Sequence, residues 1–279
     1  MKRAPKILIA DGNTRDRNDA MQAVGGELGA ALYANEIRRM FPNAELVTVY
    51  PADADDYLPT GVALGDFDGM VMGGSGLHAF DPEPEVTRQV DLMRAALDEG
   101  LPVLGSCWGL QIAAAATGGT VSKSPRGREV GIARKISLTP AGRGHALYCD
   151  KPSVFDSPCI HYDEVTHLPS GAVVLAENAH SAVQAAVIRK GAGIFWGVQY
   201  HPEFNVPHLA NLYRRYKDDM LNQGYFADAD DLERHCNELS ALHQDPTRLD
   251  LRWRLGIDDD ILDADQRCRE IRNWVDSLT

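Results

Sequence analysis

Two short stretches hold residues whose types and spacing could do nucleophilic chemistry. In Pro102-Val103-Leu104-Gly105-Ser106-Cys107-Trp108-Gly109-Leu110-Gln111 a cysteine stands between two glycines, with an apolar run before it and an alanine-rich run after it. The run before predicts a buried strand. Gln111 to Ala116 predicts a helix, since alanine loses least on helix formation. No loop separates them, so the chain turns from strand to helix within two residues. The central residue then takes a strained backbone conformation, and the flanking glycines relieve the crowding. The Gly-x-Ser-x-Gly turn of α/β-hydrolases exposes its nucleophile with the same geometry. Here the residue is a thiol at a helix N-terminus, where the positive dipole end and free N–H groups favour a thiolate. A buried structural cysteine in a glycine-rich turn accounts for the same residues.

A thiol nucleophile needs a base, and the base needs an orienting group. Of nine histidines, His201 in Gly197-Val198-Gln199-Tyr200-His201-Pro202-Glu203-Phe204 closes a strand that Pro202 prevents from continuing. Glu203 can fold back on the same imidazole. In such a relay His201 takes the thiol proton and later returns it to a leaving amine, while Glu203 holds the tautomer and favours the imidazolium. A strand-end histidine bonded to a backbone carbonyl is the structural alternative. A third stretch, Val71-Met72-Gly73-Gly74-Ser75-Gly76, also follows a strand. It lacks the Lys-Ser/Thr of a phosphate-binding P-loop.

The elements that must position these residues follow from the apolar pattern. Strands are predicted over 6–11, 45–50, 68–72 and 103–105, and helices over 27–40, 83–99 and after Cys107. This alternation predicts an α/β fold with a doubly wound, flavodoxin-like, mostly parallel sheet. The polar stretch 12–26 reads either as the border of a ligand crevice or as a solvated loop. After Gly119 the strand-like runs 129–138, 172–177, 182–189 and 193–200 predict an antiparallel section. Helices return over 205–223, 229–242 and 258–278. Within an acidic helical extension (205–279), residues 217–279 hold sixteen acidic against eight basic residues, so that stretch carries eight of the twelve net negative charges. The extension is expected to pack on its own domain (1–204) or on the sister subunit of a homodimer.

The composition excludes several classes of function. A net charge of −12 without a basic stripe argues against nucleic acid as a partner. No apolar run approaches the roughly 20 residues of a membrane span, and the start of the chain has no signal-like segment. Five widely spaced cysteines without a CxxC pair argue against a disulfide framework or a zinc site and point to the reducing cytoplasm.

Taken together, Gly105-Ser106-Cys107-Trp108-Gly109-Leu110-Gln111 and, about ninety residues on, His201-Pro202-Glu203 resemble the class I (triad) glutamine amidotransferase family, from about Lys6 to Phe204. The resemblance implies Cys107 as nucleophile, His201 as base and acid, and Glu203 as orienter, with no cofactor and no metal. It implies Gly74 and Trp108 as the oxyanion-hole N–H donors, although Ser75 stands where the family usually has proline. It places Gln111 against the substrate. It also places His161-Tyr162-Asp163 where the family holds the α-amino and carboxylate ends of glutamine, with Tyr162 in place of a glycine.

No second catalytic domain is visible, so the chain resembles the stand-alone, GMP-synthase-like branch. The first expectation is a glutaminase-type hydrolase that passes ammonia to a separate synthetase partner. The second is a γ-glutamyl peptidase or hydrolase that needs no partner. The third is a binding module with a silent site.

Overall fold

Ile7, Leu8, Ile9 and Ala10 are all fully buried, so the first strand is covered on both faces, as a continuous apolar run requires. The computed structural model describes residues 3–278. Its strands are β1 (Lys6–Ala10), β2 (Glu45–Val49), β3 (Gly69–Met72), β4 (Val103–Ser106), β5 (Thr120–Lys123), β6 (Glu129–Leu138), β7 (Val154–His161), β8 (Asp163–His167), β9 (Val173–Glu177), β10 (Ala185–Lys190) and β11 (Gly193–Val198). The helices before residue 204 are α1 (Arg15–Gln22), α2 (Gly29–Met40), α3 (Pro84–Asp98), α4 (Trp108–Ala116) and α5 (Pro140–Arg143). After it come α6 (Val206–Arg215), α7 (Lys217–Asn222), α8 (Ala229–Gln244), α9 (Leu249–Leu255), α10 (Asp259–Leu262), α11 (Ala264–Arg267) and α12 (Arg269–Ser277).

Nine strands form one sheet in the order β2-β1-β3-β4-β11-β10-β9-β6-β7. The first five are mutually parallel, and the strands from β10 onward run antiparallel to their neighbours. The parallel half has the expected doubly wound order, with β11 completing it. Register brings the three motifs together: Gly105 pairs with Met72 on one side and Gly197 on the other, and Ser106 pairs with Val198. Gly73–Gly76, Cys107 and His201 therefore all lie just beyond the carboxyl ends of adjacent strands, where such sheets bind ligands.

One face of the sheet is covered by α2 and α12, whose Tyr33, Ile37, Ile271 and Trp274 join Ile7 and Ile9 in one apolar cluster. The other face carries α3 and α4 through Leu92, Met93, Leu110 and Ile112. A third cluster gathers α6, α8 and α9 around Leu32 and Phe204. The extension thus packs on the rest of this chain, and α12 enters the sheet's own core. A Cβ on Gly69 would lie 2.8 Å from the Trp274 ring, so α12 closes onto the start of β3 at bare-backbone distance.

Some elements depart from the expectations. The polar stretch 12–26 contains α1, which is held by a tertiary contact: buried Asn18 donates to Asp11, and Asp11 also accepts from Asn13 and Ala30. The helix expected over 205–223 breaks at Tyr216 into α6 and α7. The unforeseen β7 carries Asp156, Ser157 and Pro158, which disrupt the apolar pattern, and as an edge strand it tolerates the proline. Strands β5 and β8 are a short pair too small to show a period, and α9 was likewise not foreseen.

Candidate active site

The strand–helix turn has the strain its sequence predicts. Cys107 takes φ +48 and ψ −95, a conformation that a side chain rarely adopts, and its N–H donates to Val198 O at 2.8 Å. A Cβ on Gly105 would meet the Phe195 ring at 2.8 Å, and one on Gly109 would meet Met72 O at 2.5 Å. Both glycines are thus required by close approach. The thiol environment departs from the expected thiolate. Burial first, then the carboxylates of Glu203 and Asp163, push the Cys107 thiol up to about 12, against which the Trp108 N–H and the Gln199 side chain act more weakly. Desolvation and two negative neighbours outweigh the helix dipole. The thiol donates to Ile160 O at 3.6 Å, a neutral partner.

His201 follows β11 and lines the same cleft as Cys107. Its Nδ1 lies 2.7 Å from Glu203 Oε1, which also accepts from Ser106 Oγ at 2.8 Å. Its ring stacks on Phe204 at 3.9 Å, and Nε2 has no hydrogen-bond partner among the described residues. One nitrogen is therefore fixed by the carboxylate, while the other is left for proton transfer. Gly74 abuts the imidazole: a Cβ there would sit 2.6 Å from His201 Cε1. Trp108 is fully buried, its indole N–H donating to Gln89 at 2.7 Å, which anchors the residue after the cysteine.

The segment around His201 is held by side chains from far along the chain. The Pro202 carbonyl accepts from Arg267 Nε at 3.2 Å and from Cys268 Sγ at 3.1 Å. Arg267 also pairs with Glu36 at 2.6 Å. Tyr200 donates to Glu270 at 2.6 Å and meets Tyr148 at 2.8 Å, and Lys151 pairs with Glu270 at 2.8 Å. Asn205 caps α6 by accepting from the His208 N–H. None of these partners carried a sequence signal, apart from Ser106 and Gln199, which stand inside the motifs.

The cleft, about 390 Å³, is lined by Cys107, Gln111, His161, Tyr162, Asp163 and His201 among others. Gln111 Nε2 donates to Asp163 O at 3.0 Å and so braces the 161–163 segment. The His161 ring is held on both sides: one nitrogen is 2.8 Å from Glu129 and the other 3.0 Å from Asp163 O, while the residue still lines the cleft. Asp163 is bound by His78, a residue the sequence did not single out, at 2.6 Å. Tyr162 is the more exposed of the set, with Lys123 and Arg128 over its ring.

The fold is a doubly wound α/β sheet, with a cysteine on a strained strand–helix turn in the same cleft as a histidine–carboxylate pair that follows the next parallel strand. The chain belongs to the class I glutamine amidotransferase family, whose model matches residues 29–212. It is 31% identical to a γ-glutamyl-L-1-hydroxyisopropylamide hydrolase of Pseudomonas sp. over 98% of this chain and 92% of that protein. It is 33% identical to the glutamine-hydrolysing GMP synthase of Edwardsiella ictaluri over 63% of this chain but only 32% of that protein. In fold it is similar to a glutamine amidotransferase of Thermotoga maritima, with a TM-score of 0.66 at 17% identity, covering 99% of both chains. No helix among the described residues is long and apolar enough to cross a membrane.

Proposed function

We propose that this protein hydrolyses γ-glutamyl amide bonds through Cys107, His201 and Glu203, without a synthetase partner. The observation that carries the choice is how far the similarity reaches. That to the γ-glutamyl hydrolase covers 98% of this chain and so runs through the extension, whose Arg215, Tyr216 and Asp219 line the cleft, whereas that to the GMP synthase covers 63% of this chain. A glutaminase feeding ammonia to a partner remains the second reading, because glutamine presents the same γ-carbonyl.

In the proposed cycle Cys107 gives its proton to His201 Nε2 as the sulfur attacks the γ-carbonyl carbon. The oxyanion takes N–H donors from Gly74 and Trp108; losing one such donor typically costs about 10²–10³ in rate. His201 returns the proton to the leaving nitrogen, the C–N bond breaks, and a γ-glutamyl thioester remains. Water then attacks the thioester carbon and gives its proton to His201. The C–S bond breaks, the thiol is restored and glutamate leaves. Because the resting thiol is neutral, proton transfer to His201 accompanies attack.

The test is amine release by the purified chain alone from γ-glutamyl-4-nitroanilide, other γ-glutamyl amides and glutamine. Release from the amides supports the reading. Ammonia release from glutamine only on addition of a second protein would replace it with the amidotransferase reading.

A further inference from the structure

The chain as a whole is strongly acidic, yet the cleft beside Cys107 is lined by four cations, Arg17, Lys123, Arg128 and Arg215, against three carboxylates, Glu27, Asp163 and Asp219, together with Tyr162 and Tyr216. These cations differ in what already occupies them. Arg128 is paired with Asp219 at 3.0 Å and lies over the rings of Tyr162 and Tyr216. Arg17 and Arg215 are half-buried, and among the described residues neither has a carboxylate within ion-pair distance. Their placement is specific. A Cβ on Gly76 would lie 2.5 Å from Arg17 Nη1 and 3.1 Å from the Tyr216 hydroxyl, so both groups sit over the loop that carries Gly74. Arg215 stacks on the same Tyr216 ring at 5.2 Å. Two unpaired guanidinium groups thus converge on one tyrosine beside the candidate oxyanion hole. Partial burial of such groups without a counter-charge is costly, and an arriving anion relieves that cost.

We propose that this part of the cleft binds a carboxylate on the leaving group, so that the substrates are γ-glutamyl amino acids or short γ-glutamyl peptides rather than neutral γ-glutamyl alkylamides. The inference rests on the γ-glutamyl hydrolase reading above. Arg17 is the principal contact, with Arg215 and the Tyr216 hydroxyl supporting it. The glutamyl end needs a cation of its own, and Lys123 and Arg128 beside Tyr162 provide one next to the 161–163 segment. A substrate with a carboxylate at each end matches two cationic groups contributed by different elements.

The experiment compares γ-glutamyl-L-alanine with γ-glutamyl-L-alaninol, which differ only by carboxylate against hydroxymethyl, on the purified full chain. Expected is a kcat/KM about tenfold or more higher for the alanine peptide at low salt, the scale of one charge-assisted hydrogen bond at a half-exposed site. The preference shrinks with added salt, and Arg17→Gln removes most of it. The ratio of the two kcat/KM values on one preparation does not depend on how much of a variant is folded, so partial misfolding leaves the test intact. Equal kcat/KM for the two substrates, or an unchanged ratio in Arg17→Gln, overturns the inference. γ-Glutamyl-4-nitroanilide, whose leaving group has no carboxylate, reports separately on the hydrolase reading. If it is cleaved without any alanine preference, only the leaving-group inference falls. If none of the three is cleaved, the hydrolase reading falls with it.

Discussion

Cys107 and His201 follow neighbouring parallel strands, yet the chain holds them by opposite means. The cysteine is placed mainly by backbone. Two glycines let β4, β3 and α4 approach to within a bare chain's reach, and the strained φ of Cys107 is fixed by a hydrogen bond to Val198 on the adjacent strand. The histidine segment is placed by side chains. Arg267 and Cys268 hold the Pro202 carbonyl, and Tyr148 and Glu270, itself paired with Lys151, hold Tyr200. The first device is local and leaves a motif. The second is assembled from residues tens to more than a hundred positions apart, and the C-terminal extension belongs to it.

The sharpest break falls on the backbone-built side. Cys107→Ala is expected to lower γ-glutamyl amide hydrolysis by about 10⁵-fold or more, as loss of a nucleophile does in a coupled triad, with circular dichroism and melting close to the parent. Turnover within tenfold of the parent would remove Cys107 from the chemistry. In the parent, a thiol near 12 is neutral at pH 7 and gains thiolate only as pH climbs. Its alkylation by iodoacetamide should therefore keep rising through pH 9. A plateau already present below pH 7 would show a preformed thiolate–imidazolium pair instead.

On the side-chain-built side, Glu203→Gln keeps a carbonyl oxygen for Ser106 and for the imidazole N–H but loses the charge that stabilises an imidazolium. About 10³–10⁴ in kcat is expected to go, the scale of the corresponding change in serine triads, with KM altered much less. Steady-state kinetics on one amide substrate measure this. A loss under tenfold would leave Glu203 as packing for His201.

How much could be read from the chain follows the same division. The parallel half of the sheet, the strained turn at Cys107 and the His201–Glu203 pair were legible because each depends on near neighbours: an apolar run, flanking glycines, a strand stopped by proline. Strand β7 was not legible, because an edge strand tolerates Asp156 and Pro158 that would break a central one. Helix α1 was not legible either, since its anchor is Asn18 on Asp11 and not an amphipathic stripe. Nor was the bond between Glu129 and the His161 ring legible, because it reaches across from another strand. The acidic tail offered no motif at all, because its hold on the His201 segment is three side chains arriving at a carbonyl and a phenol.

Arg267 tests whether that contribution reaches the chemistry. Arg267→Met removes one of the two guanidinium partners of Glu36, leaving Arg39 at 2.7 Å, and is expected to cost about 1.5–3 kcal/mol in urea unfolding, the scale of a charge-assisted hydrogen bond. The same change removes the stronger donor to Pro202 O, so the His201 segment loosens. A fall in kcat of about tenfold with little change in KM is the signature of a positioning residue. Lost stability with kcat intact would confine Arg267 to folding.

The smallest effect separates the two donors that share the Pro202 carbonyl. Cys268→Ala deletes a weak S–H donor at a fully buried site while leaving the Arg267 fork and its ion pair in place. An uncharged hydrogen bond of this kind contributes about 1 kcal/mol, so a modest loss of stability is expected. With Arg267 still bonded, the carbonyl stays fixed and kcat should change less than about twofold. If Cys268→Ala instead lowered kcat as far as Arg267→Met, packing around the carbonyl would outrank charge in setting the position of His201. The histidine side would then be held, like the cysteine side, by close fit.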